Sequence, residues 1–403
     1  MELGILAILI SAIAYAMVAR RVSNTVITAP MVFLTVGLMM AYSNLMHVDH
    51  VQYLLHLVAE ISLIILLFID AARTNFDALR RQSLWPMRML LIGLPLTIGL
   101  GFLLGIPFFP DWPLPLIALV AAIMAPTDAA LGQAVITHPH VPERERLTLT
   151  VESGLNDGLA LPVILMLACM VTGLSASDAD QTNWLLFGLQ QITLGPIAGG
   201  LLGWVGAQVF LFVESRKLTA PTYEGVAALA LAGSSYLIAS LIGGNGFIAA
   251  FVAGLFFGHF VKGRCRFIYE FTESEGQMLV WASFVFIGLG LLPNAIELLT
   301  LPMAIYIMMS LFVVRPLAIY LSLLGTQTQQ LTRLFFGWFG PRGLATALFA
   351  LIVTEELQQE FAHSVLVLSI NAVWMSALLH GMTAVPGAEW YARKFAKTKK
   401  GLV

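Results

Sequence analysis

The sequence predicts an all-α polytopic membrane protein of about thirteen transmembrane helices. Three observations carry that reading: a very apolar composition, hydrophobic runs of about twenty residues, and basic residues confined to alternate loops. Of the 403 residues 59% are apolar and only 11% charged, with a mean hydropathy of +0.86. Soluble domains carry about 25% charged residues to cover a wetted surface, so this chain leaves no room for a separate soluble domain. The net charge of −2 offers no electrostatic footprint for nucleic acid. The two cysteines, Cys169 and Cys265, cannot build a disulfide framework and read as free thiols.

Apolar runs that can cross a hydrocarbon core of ~30 Å are separated by polar or Pro/Gly stretches. They fall at 1–19, 27–45, 51–70, 86–105, 113–136, 147–171, 184–212, 221–242, 245–261, 276–292, 301–324, 331–354 and 362–385. The first opens Met-Glu-Leu-Gly without the basic stretch of a cleavable signal, so it should persist as a helix. The seventh is overlong and should tilt. Glu270, Glu273 and Glu275 crowd the start of the tenth.

Arg20 and Arg21 follow the first segment, and Arg73, Arg80, Arg81 and Arg88 surround the turn after the third. Arg144 and Arg146 follow the fifth, Arg216 and Lys217 the seventh, and Lys262, Arg264 and Arg266 the ninth. Arg333 follows the eleventh, and Arg393, Lys394, Lys397, Lys399 and Lys400 the thirteenth. Loops after even-numbered segments carry acids instead, among them Asp49, Asp111, Asp178, Asp180, Glu297, Glu355, Glu356 and Glu360. Under the positive-inside rule the N-terminus is expected outside and the C-terminus in the cytoplasm.

The remaining basic residues, Arg315 and Arg342, fall inside segments, as do Glu60, Asp128, Glu152 and Asp157. At ~1.5 Å per residue most of them lie near mid-membrane, where each charge costs about 2.5–3.5 kcal/mol and is normally paired or functional. The fifth segment contains Ala125-Pro126-Thr127-Asp128 and the twelfth Gly340-Pro341-Arg342-Gly343. A mid-membrane proline frees backbone carbonyls and half-helix ends. Two interrupted helices at matching places in inverted halves, segments 1–6 and 8–13, point to a transporter site at the midplane. Ordinary proline kinks are the bland alternative.

The sixth segment carries Glu152-Ser153-Gly154-Leu155-Asn156-Asp157-Gly158. Ser153 and Asp157, four apart, share one face, and Glu152 and Asn156 the adjacent one. A hydroxyl and a carboxylate, with free carbonyls at Thr127 across the gap, make the oxygen-rich set that hard cations prefer. No His/Cys cluster suggests a transition metal. Four buried acids face two buried arginines. Depth and charge suggest pairing Asp128 with Arg342. An acid that exchanges a proton for a cation must not be held by an arginine, and Asp157 fits that condition.

These residues resemble the sodium–proton exchangers of the NhaP/NHE type. The matching pieces are Ala-Pro-Thr-Asp at 125–128, Glu-Ser-x-x-Asn-Asp-Gly at 152–158, Arg-Pro at 315–316 and Gly-Pro-Arg-Gly at 340–343. Their order and helix placement match too, so the resemblance covers essentially the whole chain. About 18 residues follow the last segment, which suggests a bacterial-like short form without a regulatory tail. The resemblance implies that Asp157 binds cation and proton in turn, with Ser153 and the Thr127 carbonyl as further ligands of Na⁺, Li⁺ or K⁺. It places Asn156 where electrogenic relatives carry a second aspartate, and pairs Glu152 with Arg315. Asp70 falls where related exchangers often carry an acid lining the cytoplasmic funnel; an interfacial carboxylate near Arg73 is the alternative. Glu60 is either a participant or a neutral, hydrogen-bonded acid. His138 and His140, in the loop after the fifth segment, invite a pH-sensor role that exposed loop histidines usually lack.

The expectation is an electroneutral antiporter of a monovalent cation, Na⁺ first, against H⁺, in a bacterial inner membrane, as a homodimer without cofactors. A K⁺/H⁺ antiporter of the same fold, or an organic-anion symporter of related architecture, is the alternative. An intramembrane protease is disfavoured because neither His-Glu-x-x-His nor Gly-x-Ser-x-Gly occurs. A channel is disfavoured because a single carboxylate at broken helices does not make a multi-ion pore. The resemblance divides the chain into scaffold helices at 1–85, core at 86–171, linker and scaffold at 172–300, core at 301–387, and a short basic cytoplasmic tail at 388–403.

Overall fold

A backbone immersed in hydrocarbon must satisfy its own N–H and C=O groups, and the chain does so with helices almost throughout. The structure, a computed structural model, describes residues 2–22, 25–43, 48–73, 84–136, 138–173, 181–266, 270, 275–355 and 357–400. Arg80, Arg81, Asp178, Asp180 and Glu356, which bear on the expected topology, and Glu273, at the start of the tenth segment, lie outside the described residues.

The helices are α1 (Glu2–Val22), α2 (Ala29–Tyr42), α3 (Val48–Arg73), α4 (Leu84–Phe108), α5 (Leu114–Ile123), α6 (Ala129–Ile136), α7 (Glu143–Gly173) and α8 (Gln181–Ser215). They continue as α9 (Pro221–Leu241), α10 (Gly246–Val261), α11 (Glu275–Gly290), α12 (Leu292–Glu297), α13 (Leu301–Ser322), α14 (Gln330–Trp338), α15 (Leu344–Thr354) and α16 (Gln359–Lys400). Among the described residues, seven helices are long and apolar enough to cross a bilayer. Met17, Leu241 and Leu301 stand exposed on such helices, the inverse of a soluble surface and what a lipid solvent permits.

α2 packs on α11, and α10 packs on α3, α8 and α9. On the other side α4 packs on α5 and α13, α13 on α14, and α15 on α16. α7 touches members of both sets, meeting α5 and α6 as well as α3, α8 and α10. It is the central helix, and Phe68 of α3, Leu116 of α5 and Phe349 of α15, all helices that pack on it, are fully buried.

α4 and α13 each contain one widened turn, at Met89–Gly93 and Ser310–Val314, closed by the i→i−5 bonds Leu94 N to Met89 O and Arg315 N to Ser310 O. Both turns precede a proline, Pro95 or Pro316. A proline ring clashes with the carbonyl four residues back, here Leu91 and Phe312, and the wider turn relieves the clash. The second such turn delivers Arg315 to the bundle interior.

Candidate functional site

The fifth and twelfth predicted segments are each two short helices rather than one. α5 and α6 flank an unwound stretch at 124–128, and α14 and α15 flank another at 339–343. The two stretches touch: Asp128 N–H donates to Pro341 O at 2.9 Å.

Their side chains are exchanged across this contact. Arg342, completely buried, donates from Nη1 to the carbonyls of Ala125 and Pro126, the latter at 3.0 Å. Asp128 Oδ2 accepts the Leu344 N–H at 2.7 Å, at the first turn of α15. The expected Asp128–Arg342 pair therefore does not describe Arg342. A helix end carries about half a charge, negative at its carbonyls and positive at its N–H groups. The arginine answers the carbonyls just beyond the end of α5, and the aspartate answers the start of α15. Two glycines make room for this. A Cβ on Gly343 would lie 1.9 Å from Asp128 Oδ2, and one on Gly340 would lie 1.7 Å from Arg315 Nε.

The α7 residues complete the site. Arg315 Nη2 reaches Glu152 Oε1 at 3.2 Å and Oε2 at 3.3 Å, both residues being buried. Glu152 Oε2 also accepts the Thr127 hydroxyl at 3.2 Å. The Asn156 amide donates to Thr127 Oγ1 at 2.6 Å and to Glu152 Oε1 at 3.4 Å. Asn156 thus braces the ion pair. Ser153 Oγ donates to Thr127 O at 2.7 Å, so that carbonyl is not free as expected but shared with the serine. Each oxygen keeps a lone pair for a further partner.

Asp157 sits one helical turn beyond Ser153. Its Oδ1 is buried, and among the described residues nothing hydrogen-bonds it. The fields of Asp128, Asp70 and Glu152 reach it. Beside these groups a cavity of about 10 Å³ is lined by Thr127, Asp128, Glu152, Ser153 and Pro341, close to the ~10–15 Å³ that one water takes up. Among the described residues no three His, Cys, Asp or Glu side chains converge as a metal centre.

Asp70 joins this neighbourhood, its carbonyl bordering Gly154 of α7. Glu60 faces α9 instead, where its Oε1 accepts the Tyr236 hydroxyl at 2.5 Å. Two buried networks escaped the sequence reading. Tyr391 bonds Glu145 at 3.1 Å and Thr332 at 2.9 Å. His380 Nδ1 lies 3.0 Å from Ser376 Oγ, and the Ser376/His380 spacing of four on an apolar helix was the available signal.

The long apolar helices describe an integral membrane protein, and two interrupted helices that touch are the arrangement found at the midplane of many transporter folds. The chain belongs to the transmembrane sodium/hydrogen exchanger family, which it matches over residues 7–390. It is 25% identical over 350 residues to the K⁺/H⁺ antiporter NhaP of Alkalimonas amylolytica, covering 83% of this chain and 57% of that one. It is 30% identical over 304 residues to the K⁺/H⁺ antiporter NhaP2 of Shewanella sp. strain ANA-3, covering 73% and 50%. To the Na⁺/H⁺ antiporter ApNhaP of Aphanothece halophytica it is 28% identical over 350 residues, covering 81% and 63%. The chain thus spans about half to three-fifths of the length of these relatives. Its fold matches the sodium–proton antiporter MjNhaP1 of Methanocaldococcus jannaschii with a TM-score of 0.79 at 21% identity, over 97% of each chain.

Proposed function

We propose that the protein exchanges one monovalent cation for one proton across a membrane by alternating access, with both competing for Asp157. The observation that carries this reading is the Asp157 carboxylate, buried on Oδ1 without a hydrogen-bond donor, beside the Ser153–Thr127 oxygen pair. A carboxylate in that condition gains by taking up either a proton or a cation, and it cannot accommodate both charges at once. Asp157 supplies the negative charge, while Ser153 Oγ and Thr127 O supply neutral oxygens. Glu152, Arg315 and Asn156 hold Thr127, and Asp128 with Arg342 compensates the half-helix ends. Asp70 lines the approach, and Glu60 stands apart on Tyr236.

Sodium is the first candidate because one carboxylate with hydroxyl and carbonyl oxygens suits a small hard ion. Potassium is the second reading, favoured by the names of NhaP and NhaP2 among the relatives. In this proposal the chain crosses the bilayer thirteen times in two inverted six-helix repeats. α4–α7 and α13–α16 move as a core against a dimerisation scaffold of the other helices. The protein works as a homodimer in a bacterial cell membrane, N-terminus outside and C-terminus inside, and the alternating basic loops support that orientation.

The test is dequenching of a pH-sensitive dye in proteoliposomes on separate additions of NaCl, LiCl and KCl. Proton counterflux with at least one of them is expected, and its absence with all three would overturn the proposal.

A further inference from the structure

His380 is a buried titratable residue that the site chemistry leaves unused. It lies on α16, 2% exposed, with Ser376 one turn earlier fully enclosed. Its contacts reach both sides of the break between α14 and α15. Before the break, the Trp338 indole stacks on the imidazole with centroids 4.8 Å apart and planes at 29°. After the break, the Arg342 N–H donates to Ser376 Oγ at 2.6 Å, and that oxygen lies 3.0 Å from His380 Nδ1.

His380 Nδ1 lies within reach of two oxygens of Ser376, Oγ at 3.0 Å and the backbone carbonyl at 3.1 Å. The carbonyl can only accept, which favours a hydrogen on Nδ1. Ser376 Oγ, which accepts the Arg342 N–H, is thereby held from both sides. The contacts run from Arg342 N–H through Ser376 and His380 to the Trp338 ring, and they span the five unwound residues like a brace.

We infer that His380 is a positioning residue for cation binding, acting through Ser376 and Arg342 on the Thr127 carbonyl. The path is short. Arg342, held at its backbone by Ser376, grips the carbonyls of Ala125 and Pro126. The next carbonyl along that unwound stretch is Thr127 O, which accepts from Ser153. Loosening the brace lets Arg342 shift, and the Thr127 carbonyl moves with the unwound stretch that carries it. The inference rests on Thr127 O being a cation ligand, as proposed above.

The test measures the KM for cation and the maximal rate per reconstituted protein. Ser376→Ala and His380→Leu should each raise the cation KM roughly tenfold, the scale on which outer partners of ion ligands act, with a smaller change in maximal rate. The double variant should be no worse than the worse single, because both cut one brace. His380→Asn, whose amide can reach Ser376 from near the position of Nδ1, should keep KM within about twofold. A residue that merely fills space would lower yield and leave KM unchanged in every folded variant. The inference is overturned by an unchanged KM in Ser376→Ala, by additive effects, or by equal damage from Asn and Leu. Should His380→Leu not fold, Ser376→Ala and His380→Asn decide the matter alone. Asp157→Asn separates the two levels. If that variant exchanges cations normally, the site reading falls and the brace with it; if it is inert while Ser376→Ala has a normal KM, only the brace falls.

Discussion

Arg315 and Glu152 meet inside the bundle, Nη2 lying 3.2 Å from Oε1 with both side chains at most 4% exposed. The pair is held from the far side by Thr127 and Asn156. Removing one partner of a buried pair strands the other and typically costs ~3–5 kcal/mol. Glu152→Gln and Arg315→Gln should each lower yield and thermal stability more than they lower intrinsic cation affinity. The double variant should recover part of the loss. Thermal unfolding of the purified proteins in detergent checks this. Fully stable single variants with lost transport would make Glu152 a ligand.

Two glycines at the second break should be intolerant for different reasons. Gly340→Ala drives a methyl into the Arg315 guanidinium, and Gly343→Ala drives one into the Asp128 carboxylate. Overpacking of this kind typically costs 1–3 kcal/mol or more. Gly99→Ala in α4 is the control, because a Cβ there meets nothing within 4 Å and alanine favours a helix interior by roughly 0.5–1 kcal/mol. Melting temperatures should fall for the first two and hold or rise for the third. Equal melting temperatures in all three would show that the break relaxes around a methyl.

That the chain is helical nearly throughout was legible because lipid imposes one rule on every residue, and the proline–charge motifs at 125–128 and 340–343 marked two places where helices stop. The Ser153/Asp157 and Glu152/Asn156 faces followed from helical spacing alone. Arg342 was misassigned for a physical reason. Depth and sign cannot distinguish a carboxylate from the carbonyls at a helix end, since both attract a guanidinium. Glu145 and Tyr391 lie 246 residues apart, and no local pattern announces a bond across that distance. The widened turns before Pro95 and Pro316 could have been anticipated from the proline clash, but not their choice of a π geometry over a kink.

Asp157→Asn should abolish exchange while leaving folding and membrane insertion intact. The amide fills the same volume but can neither hold the proton nor neutralise a cation. Because nothing among the described residues hydrogen-bonds Oδ1, the substitution breaks no bond there, and melting temperature should hold or rise. Size-exclusion profile, thermal unfolding and dye-monitored exchange are measured on one preparation. Ordinary transport by the folded variant would sink the site assignment.

The pH dependence follows from one carboxylate serving two ligands. If cation and proton exclude each other at Asp157, the apparent cation KM must rise as pH falls below the pKa of the site. The limiting slope is about tenfold per pH unit, each tenfold in proton activity being ~1.4 kcal/mol of competition. Rate then falls at low pH through lost cation binding, and at high pH because the return step lacks protons. That bell shape at sub-saturating cation needs no separate histidine sensor. His138, in the loop between α6 and α7, is a poor candidate in any case. Partial burial, reinforced by the nearby His140 charge, holds its pKa below the usual 6.5, so it is neutral through most of the range in which the rate should change. His138→Gln should therefore leave the profile where it was. One-for-one exchange also moves no net charge, so potentials clamped with valinomycin should not displace the reversal condition, provided K⁺ is not itself the substrate; a different clamp serves if it is. The measurement is the cation KM across pH 6–9, with the reversal point under imposed potential. A pH-independent KM would remove the competition, and a potential-dependent reversal point would mean more than one proton per cation.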